Sequence, residues 1–304
     1  MNSFFQVMQR WRRKFNPDRD ESELAVLYID VVNFRSINMR KGISAGDAFL
    51  KSVGDQLRAM FPVNAISRFD VDHFAVLIHS ANMRAKVVSV RELFQEIAPK
   101  GVGIRMGASI WSDHESSPET ICNRAKAACD DCRKHPGTSF SVYDEEMGRR
   151  LENTVYVISN IDEAIRNGWI RVYYQPIIRS STGNLCGMEA LARWDDPTRG
   201  LLSPAVFVGP LEESRQIWKL DLCVIKQVVE RTSERSRRGM TEIPISVNLS
   251  RVDFLCRDIF GEVESLVRKY DIPRHILHIE VTESAIASQE KAIVDALNRF
   301  REAG

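Results

Sequence analysis

No apolar run in this sequence approaches the ~20 residues that a membrane-spanning helix needs. The opening stretch, MNSFFQVMQRWRRKF, also lacks the long apolar core of a secretory signal. Charge of one sign is missing too: 42 basic and 41 acidic residues leave a formal net charge of +1. That balance gives no electrostatic reason to expect nucleic acid or an anionic membrane as a partner. Cysteine is sparse, with six in 304 residues, which excludes a disulfide scaffold and fits a reducing cytoplasm. Cys129 and Cys132 form a lone C-x-x-C, with Cys122 upstream, inside the helical pattern ICNRAKAACDDCRK. No second pair follows at zinc-site spacing, so free thiols are expected. Low-complexity segments and internal repeats are absent as well.

What remains is ordinary globular composition, 44% hydrophobic and 27% charged, in a length that suits about two domains. At the N-terminus, Phe4, Phe5, Val7, Met8, Trp11 and Phe15 recur at helical spacing among Arg10, Arg12, Arg13 and Lys14. A basic amphipathic helix of this kind can lie on a membrane or pack on its own domain. Packing is the expectation here.

The first part of the chain alternates strands and helices. Strands are expected at residues 24–31, on either side of the polar turn Asp70-Val71-Asp72-His73, at 103–111 and at 139–144. Helices are expected at 48–60 and 118–134, the second stopped by His135-Pro136-Gly137. The result is an α/β domain over residues 1–146. A connecting helix over 147–168 follows, ended by Asn167-Gly168. The second domain, 169–304, has strands at 170–178, 187–194, 244–250 and 275–283. Helical segments lie at 204–213, 219–238, 251–270 and 288–303. Near-continuous apolar strands separated by helices predict a parallel sheet covered by helices. Four strands are half of what an eight-stranded barrel needs.

Three oxygen-bearing residues interrupt those apolar strands: Glu189, Asn248 and Glu280. A buried carboxylate without a partner is costly. Three such residues on neighbouring strands therefore point to convergence on a cation, and oxygen ligands suit Mg²⁺ or Mn²⁺ better than zinc. The competing explanation for Glu189 alone is an ion pair with Arg193, four residues on.

The segment YYQPII…GMEALARWDDPTRGLLSPAVFVGPLEES resembles the EAL family of cyclic di-GMP phosphodiesterases. Glu189-Ala190-Leu191 is similar to its signature, Tyr174-Gln175-Pro176-Ile177 to its YQPI strand, Val247 to Ser250 to its VNLS, and Glu280 to Ser284 to its ExTES. The resemblance implies a (β/α)8 barrel that hydrolyses cyclic di-GMP to the linear dinucleotide with Mg²⁺ or Mn²⁺. Glu189, Asn248 and Glu280 would ligate metal, with Glu189 central to catalysis. Arg193 would meet a phosphate of the dinucleotide, as a guanidinium fork suits a phosphodiester. Gln175, Leu191 and Pro204 would serve the substrate groove, and Glu283 would support the loop that completes the site. The family carries an Asp-Asp pair on its next strand, which should begin near Phe300 to Gly304. The resemblance therefore implies a truncated barrel, the N-terminal half only. This chain is then expected to be a fragment that does not turn over by itself.

LYIDVVNFRSINMRKGISAGDAFL resembles the GGDEF family of diguanylate cyclases, whose domain has a central antiparallel sheet. Asp30 matches its first metal-binding Asp, and Asn38 and Asp47 its guanine-contacting pair. The signature hairpin reads Arg68-Phe69-Asp70-Val71-Asp72-His73-Phe74, so only Asp72 and Phe74 of the signature remain. Two glycines that let backbone approach phosphate are replaced by Asp70 and Val71. The inhibitory R-x-x-D is FPVN here, and the usual opening D-x-L-T-G-L-x-N is missing. Cyclisation of GTP is not expected. A scaffold or dimerisation module is favoured over a GTP sensor built on Asp30, Asn38, Asp47 and Asp72. For the whole protein, three readings stand: a phosphodiesterase with an inactive regulatory GGDEF domain, a non-catalytic receptor for cyclic di-GMP or GTP, and a non-functional truncated product. An intact version is expected to be a cytoplasmic homodimer.

Overall fold

The computed structural model describes residues 2–14, 23–112, 116–135, 137–281 and 290–304. The chain divides into two compact units, 1–149 and 150–304.

The first unit is built on β1 (Leu24–Val32), whose residues are buried from Leu24 to Val31. A strand covered on both faces must be apolar throughout, as LAVLYIDVV nearly is. Around it the sheet runs β2 (Ile66–Arg68), β3 (His73–His79), β1, β4 (Gly103–Ile110), β5 (Phe140–Val142). All pairings are antiparallel except the parallel β4–β5 edge. On one face lie α2 (Arg35–Lys41), α3 (Ile43–Met60) and α4 (Met83–Ile97), with Leu50, Val53, Leu57, Val90 and Phe94 against Leu27, Ile29 and Val76. The other face takes α1 (Asn2–Lys14) and α5 (Pro118–Asp131). Gly107 lets β4 approach α5: a Cβ there would stand 2.1 Å from the Cys129 nitrogen. In α1, Phe4 and Met8 are buried in this core, and Phe4 meets Phe69 edge-on at 5.8 Å. The amphipathic N-terminal helix thus packs on its own unit. Cys122, Cys129 and Cys132 are buried free thiols in the same layer. Burial, with Glu119 nearby, pushes the Cys122 thiol up to about 12, so it stays unreactive at neutral pH.

The helix α6 (Glu145–Arg166) leads into the second unit, where Val157, Ile161 and Ala164 are buried with Ile170, Trp194 and Phe207. Its sheet runs β10 (Leu277–Val281), β9 (Ile245–Leu249), β7 (Leu185–Asp196), β6 (Ile170–Ile178), with β8 (Gly200–Leu202) added on β7. The pairs β7–β9 and β9–β10 are parallel, as the apolar strands predict. β6 and β7 are antiparallel instead. Their connection, 179–184, is shorter than the dozen residues a parallel crossover needs. It closes as a hairpin through Gly183, whose φ of 70° belongs to the left-handed region that glycine enters freely. Between the later strands run α7 (Pro204–Glu213), α8 (Ile217–Arg237), α9 (Arg251–Cys256) and α10 (Ile259–Tyr270), and α11 (Lys291–Ala303) ends the chain. The helix expected over 251–270 is two helices, because Asp258 caps a new one by accepting from the Gly261 amide at 3.3 Å. Among the described residues β6 and β10 pair on one side only.

Asp196 fixes the turn that follows β7. One carboxylate oxygen accepts from the Thr198 amide (2.9 Å), the Thr198 hydroxyl (2.8 Å) and the Arg199 amide (3.0 Å). The other accepts from the Tyr156 hydroxyl at 2.6 Å. Burial raises this carboxyl, but the four hydrogen bonds outweigh it and bring the pKa down to about 2. A lowered native pKa gives stability that is present above the unfolded value, about 3.9, and lost as pH falls towards the native one. Acid unfolding followed by circular dichroism should therefore show stability falling between about pH 4 and about pH 2. Asp196→Asn should be less stable at neutral pH and lack that component. An unchanged acid limb in the variant would refute the assignment.

Candidate functional site

Strand alternation decides which side chains of the second unit meet. On β7, Ala190 and Trp194 are buried, and Ala192 packs beside them, under the helices. Residues 189, 191 and 193 therefore share the opposite face. Asn248 is the one exposed residue of β9, whose pattern is otherwise buried. Glu280 is exposed on β10 and pairs in register with Asn248. On β6, Gln175 is opposite Glu189, and Tyr173 opposite Leu191.

The Asn248 Nδ2 donates to Glu189 Oε1 at 2.9 Å, across 59 positions of sequence. Arg193 does not take the ion-pair role. Its guanidinium donates to the Ala192 carbonyl at 2.8 Å and lies over the Tyr173 ring, 5.7 Å from the centroid. A cation over an aromatic face is held there by the ring quadrupole. Leu191 is half-buried, and Pro204 opens α7 at its first position, where a missing amide costs nothing. Glu283 lies outside the described residues.

The face thus holds two carboxylates and an amide on adjacent strands. Hard oxygen donors of this kind fit Mg²⁺ or Mn²⁺. Because Asn248 spends its N–H on Glu189, its carbonyl oxygen is left as the donor for a cation. Among the described residues no group of three or more His, Cys, Asp or Glu could hold a metal ion.

In the first unit, Asp30 is 6% exposed and engaged by cations of the chain itself. Arg133 donates to it at 3.2 Å, Arg105 stands at 3.7 Å, and His73 Nε2 at 3.4 Å. The other face of His73 meets Asp72 at 3.6 Å. The signature turn is closed by Arg68, which donates to the carbonyls of Asp70 (3.3 Å) and Val71 (2.9 Å). Asn38 turns its Oδ1 inward against Gly46, without a hydrogen-bond partner, while Asp47 is exposed. Of the four polar residues expected here, Asp30 and Asp72 share His73, and Asn38 and Asp47 lie on α2 and α3. Sequence reasoning missed Arg105 and Arg133. Neither sits in a motif, and Arg133 lies 103 positions from Asp30.

With the geometry described, comparison with known proteins defines the class. Residues 158–304 match the EAL domain, and residues 4–138 match the diguanylate cyclase GGDEF domain. Similar proteins are named as cyclic di-GMP phosphodiesterases. PdeR of Escherichia coli is 25% identical over 294 residues, covering 94% of this chain and 44% of PdeR. NbdA of Pseudomonas aeruginosa is 26% identical over 290 residues, covering 92% of this chain and 37% of NbdA. This chain spans less than half the length of these two relatives. Among solved structures, the S helix–GGDEF–EAL portion of Vibrio cholerae LapD, bound to c-di-GMP, aligns with a TM-score of 0.53 at 17% identity, covering 98% of this chain and 77% of that one. At that identity the likeness shows the fold alone. The chain belongs to the GGDEF–EAL proteins of cyclic di-GMP signalling. Among the described residues no helix is long and apolar enough to cross a membrane.

The Asp30 cluster generates a prediction. Filling a metal position with two guanidiniums and an imidazole opposes binding of Mg²⁺–GTP. Calorimetric titration with GTP at millimolar concentration and Mg²⁺ should show no binding. Saturable binding in that range would restore the sensor reading.

Proposed function

We propose that the protein is a cyclic di-GMP phosphodiesterase acting through its EAL domain, and that its GGDEF domain does not cyclise GTP. The observation that carries this reading is the Asn248–Glu189 hydrogen bond, with Glu280 in register beside it. Glu189, Asn248 and Glu280 would hold the cation. Bound there, Mg²⁺ or Mn²⁺ supplies charge on a phosphodiester oxygen and lowers the pKa of the attacking water. Arg193, which lies over Tyr173, would donate to a phosphate of the dinucleotide, and Gln175, Leu191 and Pro204 would line its groove. Glu283 would support the loop after β10. The reading divides the chain into a GGDEF domain over 1–146, a connecting helix over 147–168 and an EAL domain over 169–304, in a cytoplasmic protein that pairs as a homodimer.

The loss of GTP chemistry in the first unit rests on Asp30, Asp70 and Val71. Asp30 is neutralised by Arg133 and Arg105, and the turn that should be glycine carries a carboxylate and a branched side chain.

The test is metal-dependent hydrolysis of cyclic di-GMP by the protein with Mg²⁺ or Mn²⁺. Loss of a group behind a metal ligand commonly costs about 10–100-fold, so Glu189→Ala should lower the rate by at least about 100-fold. Tight binding of cyclic di-GMP without turnover would instead make the protein a receptor. Neither binding nor turnover would end both readings.

A further inference from the structure

We infer that Asp221 and Asp253 form a carboxyl pair joined by one proton, and that this pair positions Asn248 by holding the backbone of Ser250. The inference rests on the reading of Asn248 as a cation ligand.

Ser250 follows the last residue of β9 and caps α9. Three helices converge on it. From α9, Asp253 Oδ2 accepts from the Ser250 amide at 2.8 Å, completing a capping box. From α8, Asp221 Oδ2 accepts from the same amide at 3.3 Å. From α7, Glu212 accepts from the Ser250 hydroxyl at 2.6 Å. The strand end that carries Asn248 two residues earlier is thereby tied to α7, α8 and α9 together.

The cap needs Asp253 only. Asp221 is surplus to it, and an apolar residue at that helix position would pack without desolvating a carboxyl. Asp253 is fully buried, and its Oδ1 has no hydrogen-bond donor. Both carboxyl groups accept from the one Ser250 amide, which brings their oxygens close together in a buried site. Carboxylates only accept, so a hydrogen bond between them requires a proton on one of them. Burial, followed by the charge of Asp253, holds Asp221 well above the ordinary carboxyl range, and burial also raises Asp253. Glu212 on α7, which accepts from the Ser250 hydroxyl, is also acidic and favours keeping the proton. On α9, Arg251 turns its guanidinium to Glu290. Burial and the mutual repulsion of the two carboxylates thus both favour one proton shared by the pair.

The sign of the linkage is opposite to that of Asp196. The native state binds more protons than the unfolded chain between about pH 4 and the raised value, so stability and site order fall as pH rises through that window. Asparagine at 221 can donate as the protonated carboxyl does, and it does not titrate.

The test uses the whole chain, with hydrogen exchange at the Ser250 amide and Mn²⁺ affinity read from about pH 5 to about pH 9. Wild type should lose Ser250 protection and Mn²⁺ affinity at the alkaline end. Asp221→Asn should keep both and flatten the alkaline limb. Asp221→Ala should speed Ser250 exchange and weaken Mn²⁺ by about 10–100-fold, the usual effect of removing a group that orients a ligand. Unchanged Ser250 exchange in Asp221→Ala would overturn the inference, as would an Asp221→Asn variant that behaves like the alanine one at neutral pH. If Mn²⁺ fails to bind wild type, or binds Glu189→Ala equally well, the cation-site reading fails. The exchange measurement then still decides whether the pair holds Ser250. Should Asp221→Ala not fold, the comparison of wild type with Asp221→Asn across pH carries the test.

Discussion

The two-residue period of β7 is the constraint from which the second unit follows. Alternation sends Ala190, Ala192 and Trp194 beneath the helices and leaves Glu189, Leu191 and Arg193 on the other face. A shift by one residue would bury a glutamate and a guanidinium and expose a tryptophan that is now fully covered. The apolar side of the strand thus fixes the register of the polar side. Asn248 and Glu280 reach the same face because β9 and β10 run parallel to β7 and are set by their own buried residues, Ile245, Val247 and Leu249 among them.

The same sheet shows how a polar site is held without being tightly packed. Asn248 donates to Glu189, which fixes the two side chains relative to each other. Beneath them the support is of another kind. Ser250 is gripped by carboxyl groups from three helices, so that a movement of α7, α8 or α9 is transmitted to the end of β9. Preorganisation of this sort matters because ligand geometry tolerates errors of only a fraction of an ångström.

The first unit keeps the family's scaffold while its polar centre has been rebuilt. β1 retains the apolar run and ends in Asp30, but Arg105 from β4 and Arg133 beyond α5 neutralise that carboxylate internally. A buried carboxylate needs a counter-charge, and these residues supply it. The apolar core on one face of the sheet, with Leu27, Ile29 and Val76, is built from residues outside this polar cluster.

Much of this was legible in the sequence, for a local reason. Apolar runs and their period mark β1, β7 and β9, and the motifs mark Glu189, Asn248 and Glu280, because both signals reside in a few consecutive residues. Strand direction was not legible for β6 and β7, since it depends on the connection and not on the strands, and both read as parallel. The three-residue β8 was too short to show a period, and the break between α9 and α10 was hidden by an apolar pattern that continues through it. What only the tertiary structure decided is which distant groups meet: Asn248 with Glu189, Arg133 with Asp30, and Asp221 with Asp253 on one serine amide. Sequence by itself determines the face on which a side chain stands, through the geometry of its own strand or helix. Its neighbours across that face are set by the order in which strands and helices assemble, and no local pattern encodes that order.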